Sequence, residues 1–167
     1  AQYGIFDDQK RGVIGLAKAS GLDLLAEKEK NPLTTATFGT GQLIKDALDK
    51  GCTKLIIGIG GSATNDGGTG MVSALGARFL NAKGEILKQG GGSLGELGRI
   101  DISDLDKRLA DCEVLVACDV SNPLTGEKGA SFVYGGQKGG SHEALQLLDK
   151  NLAHYAAILK KDLNIAI

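Results

Sequence analysis

The period of the apolar positions changes several times along the chain. Leu43, Ile44, Ala47 and Leu48 fall on one face at helical spacing. Thr40 stands before them as an expected N-cap, and Gly51 fits the left-handed position that ends a helix. Leu145, Leu148, Leu152, Tyr155 and Leu159 recur at steps of three and four behind Ser141. Lys160 and Lys161 then fall in the last turn, where the helix dipole favours cations. Lys54–Ile59 and Val114–Cys118 are short apolar runs rich in β-branched residues, the pattern of strands buried on both faces. Tyr3–Phe6 and Val13–Leu16 read as strands around a polar turn at Asp7–Lys10. Ala77–Leu80 and Glu85–Leu87 read as strands joined through Asn81–Gly84, and Met71–Leu75 as a helix. Ser103 is expected to cap a short helix over 104–109, and Gly90–Gly92 and Asn122–Gly140 to be loops. This alternation predicts a layered α/β fold with a largely buried mixed or parallel sheet, one domain over residues 1–167.

Composition narrows the function. Lys and Arg number 19 and Asp and Glu 20, a net charge of −1. No basic face is implied, so nucleic acid is not an expected partner. No apolar run approaches the 18 or so residues of a membrane span, and the opening AQYGIFDDQK has no signal-peptide pattern. Three cysteines, an odd number, suit a reducing compartment, and a cytoplasmic location is expected. They have no metal-ligand spacing and read as small core residues. The only methionine is Met71 and the chain begins at Ala1, which reads as a processed chain or part of a longer one. Glycine is the outlier, with 26 residues against only 2 prolines. That ratio points to tight turns in an ordered fold.

The strongest local signal is the run Gly58–Gly68, which follows a predicted buried strand and precedes a predicted helix. Its glycines let the backbone approach a ligand, and free N–H groups at a helix start attract an anion such as phosphate. Ser62, Thr64, Asn65 and Asp66 add polar side chains; the plainer reading is a turn with Asn65 or Asp66 as N-cap. The dinucleotide fingerprint fits poorly, because no acid ends the next strand. A Walker loop is absent from the sequence.

Three further segments are candidates. Asp119 and Asn122 lie just past a predicted strand's carboxyl end, where ligands bind in open α/β sheets. A carboxylate there could hold Mg²⁺ or take a hydroxyl proton, against an Asx turn before Pro123. Lys138, in a glycine-framed loop, could meet a phosphate or carboxylate as a point charge. Thr34, Thr35 and Thr40 precede the first long helix, and capping accounts for Thr40 by itself. His142 and His154 fall about 120° apart around one helix and do not pair for a metal.

Four of these segments together resemble the glycerate kinase family, the type I enzymes of bacteria. They are Ile57-Gly-Ile-Gly-Gly-Ser-Ala-Thr-Asn-Asp-Gly-Gly68, Asn31-Pro-Leu-Thr-Thr35 with Phe38-Gly-Thr-Gly41, Cys118-Asp-Val-Ser-Asn-Pro-Leu124, and Gln137-Lys-Gly139. They keep the family's order and spacing from about Val13 to about Leu159. The resemblance implies ATP- and Mg²⁺-dependent phosphorylation of glycerate, usually to the 2-phospho product. It also implies a two-domain α/β protein with its site in the cleft. The chain resembles the middle of that enzyme, without its Asp-Ser-Phe-Lys-Gly and Gly-Glu-Gly segments. The family often has glutamate where this chain has Gly15, and proline where it has Gly136, a change expected to loosen the Lys138 loop.

On that resemblance, Gly60, Gly61 and Ser62 are expected to donate to phosphate or to the glycerate carboxylate. Asp66 and Asp119 share the roles of base and Mg²⁺ ligand, in an order left open, and Lys138 is the third catalytic candidate. Asn65, Asn122, Gln137 and Thr40 complete the expected binding set. A homodimer is compatible with the pattern. Two other readings stand beside the kinase: a non-catalytic anion-binding module, suggested by Gly15, and a nicotinamide-binding domain.

Overall fold

The computed structural model describes residues 1–6 and 10–167. Four strands form the main sheet in the order β1 (Gly4–Phe6), β2 (Arg11–Gly15), β3 (Lys54–Gly58), β6 (Glu113–Ala117). β1 is antiparallel to β2, while β2, β3 and β6 run parallel. β4 (Arg78–Asn81) and β5 (Leu97–Asp101) make a separate antiparallel pair. The fold is mixed α/β, as the alternating pattern predicts. The expected turn at Asp7–Lys10 lies mostly outside the described residues.

Each sheet has its own core. Ile14, Leu55 and Ile57 point to one face of the main sheet and pack against Ile44, Ala47 and Leu48 of α2 (Phe38–Asp49), the helix that follows the short α1 (Ala17–Ser20). Gly12 lies under that contact: a Cβ there would sit 2.9 Å from Leu55 and 3.6 Å from Ala47. α3 (Thr69–Ala74) packs across α2 at Gly41, where a Cβ would fall 2.2 Å from the Met71 carbonyl. The second core joins Phe79, Leu94, Leu97 and Ile100 to Leu152, Tyr155, Ile158 and Leu159 of α5 (His142–Leu163). Three polar side chains of α5 secure it to the neighbouring backbone. Asn151 donates to the Gly91 and Gly92 carbonyls at 2.9 and 3.0 Å, His154 lies 2.7 Å from the Leu97 carbonyl, and Asp162 accepts from the Ile100 N–H at 2.9 Å.

Several local expectations change. α2 begins at Phe38 with Thr37 at its cap, so Thr40 lies inside the helix. Ser103 caps nothing; Asp106 caps a 3₁₀ turn over Lys107–Asp111 by accepting from the Arg108 N–H. Glu85–Leu87 is only a single bridge, Leu80 to Ile86, and the partner of β4 is β5. A short helix, α4 (Ala130–Tyr134), interrupts the expected Asn122–Gly140 loop. Cys52 is a core residue, but Cys112 is only half-buried and Cys118 is exposed. The largest departure is β6: it is a strand, yet every residue in it is exposed. Its apolar run reads as doubly buried, but nothing among the described residues covers it. Ser141 caps α5 as expected, accepting from the Ala144 N–H, and Gly51 takes a positive φ of 84° after α2.

Candidate functional site

The parallel strands end together, because the register pairs Gly15 with Gly58 and Gly58 with Ala117. Their carboxyl ends therefore release the segments that follow Gly15, Gly58 and Ala117 along one edge. Ligands bind at this edge in open α/β sheets.

The Gly58–Gly68 loop is laced to its surroundings. Leu22 N–H donates to the Gly61 carbonyl at 2.9 Å, and Ala63 N–H to the Ser20 carbonyl at 2.9 Å. Gly61 takes φ 72°, a left-handed conformation suited to glycine. Ser62 and Thr64 hydroxyls meet at 2.8 Å. Thr35 donates to the Ala63 carbonyl at 2.7 Å, and Lys138 Nζ to the Thr64 carbonyl at 2.6 Å. Asn65 is buried with its amide 3.3 Å from the Ser131 hydroxyl. A Cβ on Gly67 would lie 2.8 Å from the Tyr155 ring, so α5 supports the loop from below.

Asp66 is 1% exposed and saturated. Its Oδ2 accepts from the Thr37 N–H and hydroxyl, both at 2.8 Å, and from the Gly70 N–H at 3.1 Å. Its Oδ1 accepts from the Gly68 N–H at 3.1 Å. The start of α3, read from sequence as an anion site, is thus filled by the chain's own carboxylate. Four donors hold that carboxylate, and no free face is left for a metal or a substrate proton.

The N–H groups of Gly60, Gly61 and Ser62 have no acceptor among the described residues, and Gly60 and Gly61 are exposed. Successive free N–H groups around a left-handed residue form an anion-binding concavity. Asp119, exposed, lies two residues beyond Ala117, as Gly60 lies two beyond its partner Gly58. Glycine loop and exposed carboxylate leave neighbouring strands at the same level.

The other expected residues divide. Lys138 is half-buried, and burial pushes its ammonium below the usual lysine range, with the Asp66 carboxylate opposing. Its loop carries backbone bonds from the N–H groups of Lys138, Gly139 and Gly140. Gln137 is exposed. Thr40 is fully buried, hydroxyl to hydroxyl with Ser20 at 2.8 Å, and has no surface to offer a ligand. Asn122 is exposed but committed: it donates to the Lys128 carbonyl at 2.9 Å and accepts from the Tyr134 hydroxyl at 2.6 Å. Thr37 and Ser131, which hold Asp66 and Asn65, were not singled out from sequence; the threonines beside Thr37 were the only signal. No cluster of three or more metal-ligating side chains occurs among the described residues. Among the described residues, no helix is long and apolar enough to cross a membrane.

Comparison with known proteins bears on this edge. The sequence profile of the Glycerate kinase family matches residues 1–167. A Glycerate 2-kinase of Escherichia coli K12 is 53% identical over 167 residues, 100% of this chain and 44% of that protein. A Glycerate kinase of Halalkalibacterium halodurans is 53% identical over 98% of this chain and 43% of its own length. A crystal structure assigned as glycerate kinase 2 from Salmonella typhimurium LT2 superposes with a TM-score of 0.95 at 52% identity, covering 98% of this chain and 44% of that one. The chain thus spans less than half the length of these relatives.

Proposed function

This chain belongs to the glycerate kinase family, and we propose that the polypeptide carrying it transfers the γ-phosphoryl group of ATP to D-glycerate. A glycerate hydroxyl oxygen bonds to the γ-phosphorus, the bond to the β,γ-bridging oxygen breaks as ADP leaves, and the hydroxyl proton is released to solvent. The 2-hydroxyl is the acceptor in this reading, giving 2-phosphoglycerate. The observation that carries it is the row of free N–H groups at Gly60–Ser62, level with the exposed Asp119.

Phosphoryl transfer asks a protein mainly for positioning and charge neutralisation. Gly60, Gly61 and Ser62 donate to phosphate oxygens. Lys138 and Gln137 line the substrate side from the loop that approaches Thr64. Asp66 and Asn65 act from below: they fix the loop and touch neither substrate nor metal. Asp119 is the carboxylate left for the reacting end. Mg²⁺ commonly binds through one or two carboxylates plus substrate phosphates, which Asp119 can supply and the saturated Asp66 cannot; when bound, it would offset phosphate charge. Residues 1–167 serve as one α/β domain, with the cleft closed by chain beyond it, in a cytoplasmic enzyme.

Gly15 favours a second reading, a binding module without turnover. It stands at the strand end beside Gly58, and a Cβ there would meet only Lys18, at 3.9 Å. The family's usual glutamate would fit, so its absence removes a carboxylate from the edge. One assay separates the two: ADP release with ATP, Mg²⁺ and D-glycerate, on a polypeptide of the relatives' length, with ³¹P NMR of the product. Turnover to 2-phosphoglycerate supports the kinase. No turnover, but activity gained on Gly15→Glu, supports the module.

A further inference from the structure

A cavity of about 280 Å³ opens beside α3, between the start of α2 and the chain that follows β4. Its floor belongs to the second core: Phe79 and Leu94, 6% and 2% exposed. Phe38 and Ile86 also line it, yet they are 39% and 70% exposed. Single exposed apolar side chains are ordinary on a surface. Two of them, from separate elements, facing one cavity make an apolar wall with no partner among the described residues. The wall is set in advance, because the Leu87 N–H donates to the Phe79 carbonyl at 2.9 Å.

The polar lining divides by commitment. Arg78 spends its guanidinium on Asp101, Asp104 and Ser103, at 2.8, 3.3 and 3.2 Å. The Thr69 hydroxyl donates to the Asp66 carbonyl at 2.8 Å. The side chains of Ser73, Lys88 and Gln89 have no polar partner among the described residues. Gln89 reaches over the first turn of α3, where a Cβ on Gly70 would lie 2.9 Å from its Oε1. Lys88 is thus the uncommitted charge of the lining, and among the described residues no carboxylate lines the cavity.

We propose that this cavity binds a small aromatic monocarboxylate. Ligand sites combine a mostly apolar wall with a few polar groups that fix orientation. A cavity of about 150 Å³ holds a benzene ring, so this one takes a ring and a short acidic arm. The ring rests on Phe79 and Leu94 between Phe38 and Ile86. The carboxylate meets the Lys88 ammonium, with the Ser73 hydroxyl and the Gln89 amide as further donors. Glycerate carries oxygen on every carbon and has no apolar body to fill the wall. The cavity shares no lining residue with Gly60–Ser62, so it stands whether or not the chain takes part in phosphoryl transfer.

The test is ligand-observed saturation-transfer NMR with phenylacetate, on a polypeptide of the relatives' length. At about 0.3 kcal/mol for each of its roughly ten heavy atoms, the probe should bind with a Kd of about 10 mM or tighter. Lys88→Gln and Phe38→Ser, both at exposed positions that leave the fold intact, should each weaken it about 10-fold. 2-Phenylethanol, which has the ring without the charge, should bind the parent and Lys88→Gln alike. No saturable phenylacetate binding up to about 10 mM would overturn the proposal. Full affinity retained in either variant would overturn it too. So would displacement of the probe by ATP or D-glycerate, which would assign it to the phosphoryl-transfer site.

Discussion

Asp66 and Asp119 are both carboxylates placed by loops at the same end of one sheet, and their surroundings are opposite. Asp66 is sealed, with four hydrogen-bond donors from two helices and a glycine loop. Asp119 is exposed beyond a bare strand. Position at a strand end therefore does not assign chemistry. Saturation does: a carboxylate whose lone pairs are spent inside the fold holds structure together, and an open one remains available to a ligand.

The largest expected effect tests the sealed side. Asp66→Ala strands four donors; stability should fall by about 3 kcal/mol or more, and urea unfolding of the full-length polypeptide reads it. A variant as stable as the parent would break the contrast. Asp119→Asn should do the reverse: unfolding unchanged, with kcat down about 100-fold or more and a raised Mg²⁺ requirement, the scale of losing one charge-stabilising group. Equal loss of stability at both positions would remove the distinction.

Two smaller effects sharpen it. Burial pushes the Tyr155 phenol up to about 12, with the Asp66 charge adding to the rise. A raised phenol stabilises the fold fully below its unfolded value of about 10 and loses that contribution as pH climbs through about 12; two units correspond to about 2–3 kcal/mol. Thermal melts across this range should show the loss, and Tyr155→Phe should flatten it. Thr37→Val keeps the shape but removes the hydroxyl that donates to Asp66 and accepts from the Met71 N–H at 2.8 Å. A cost of about 1–2 kcal/mol is expected, seen as a shifted urea midpoint.

Much of this was legible in the sequence, and the misses have physical causes. The α5 stripe and its Ser141 cap were readable because the period, the cap and the terminal lysines agree. β5 escaped because a register shift between Leu80 and Asn81 disturbs the alternation, leaving Leu97 and Ile100 buried three apart. Thr40 looked like a cap because it precedes the apolar stripe, but the helix extends back to Phe38 and buries it. At the candidate site, the polar residues after Gly61 were visible, but their division of labour was not. Thr37, far from Asp66 in sequence, supplies the two shortest bonds to it, and no local pattern encodes that meeting.

The lacing of the glycine loop has a kinetic and entropic consequence. Holding one residue's backbone in a single conformation costs about 1–2 kcal/mol. Here the bonds from Leu22, Ala63, Thr35 and Lys138 fix the loop as the domain folds. An anion arriving at Gly60–Ser62 meets donors already aligned, so its affinity is not reduced by ordering the loop, and its association rate need not wait for one.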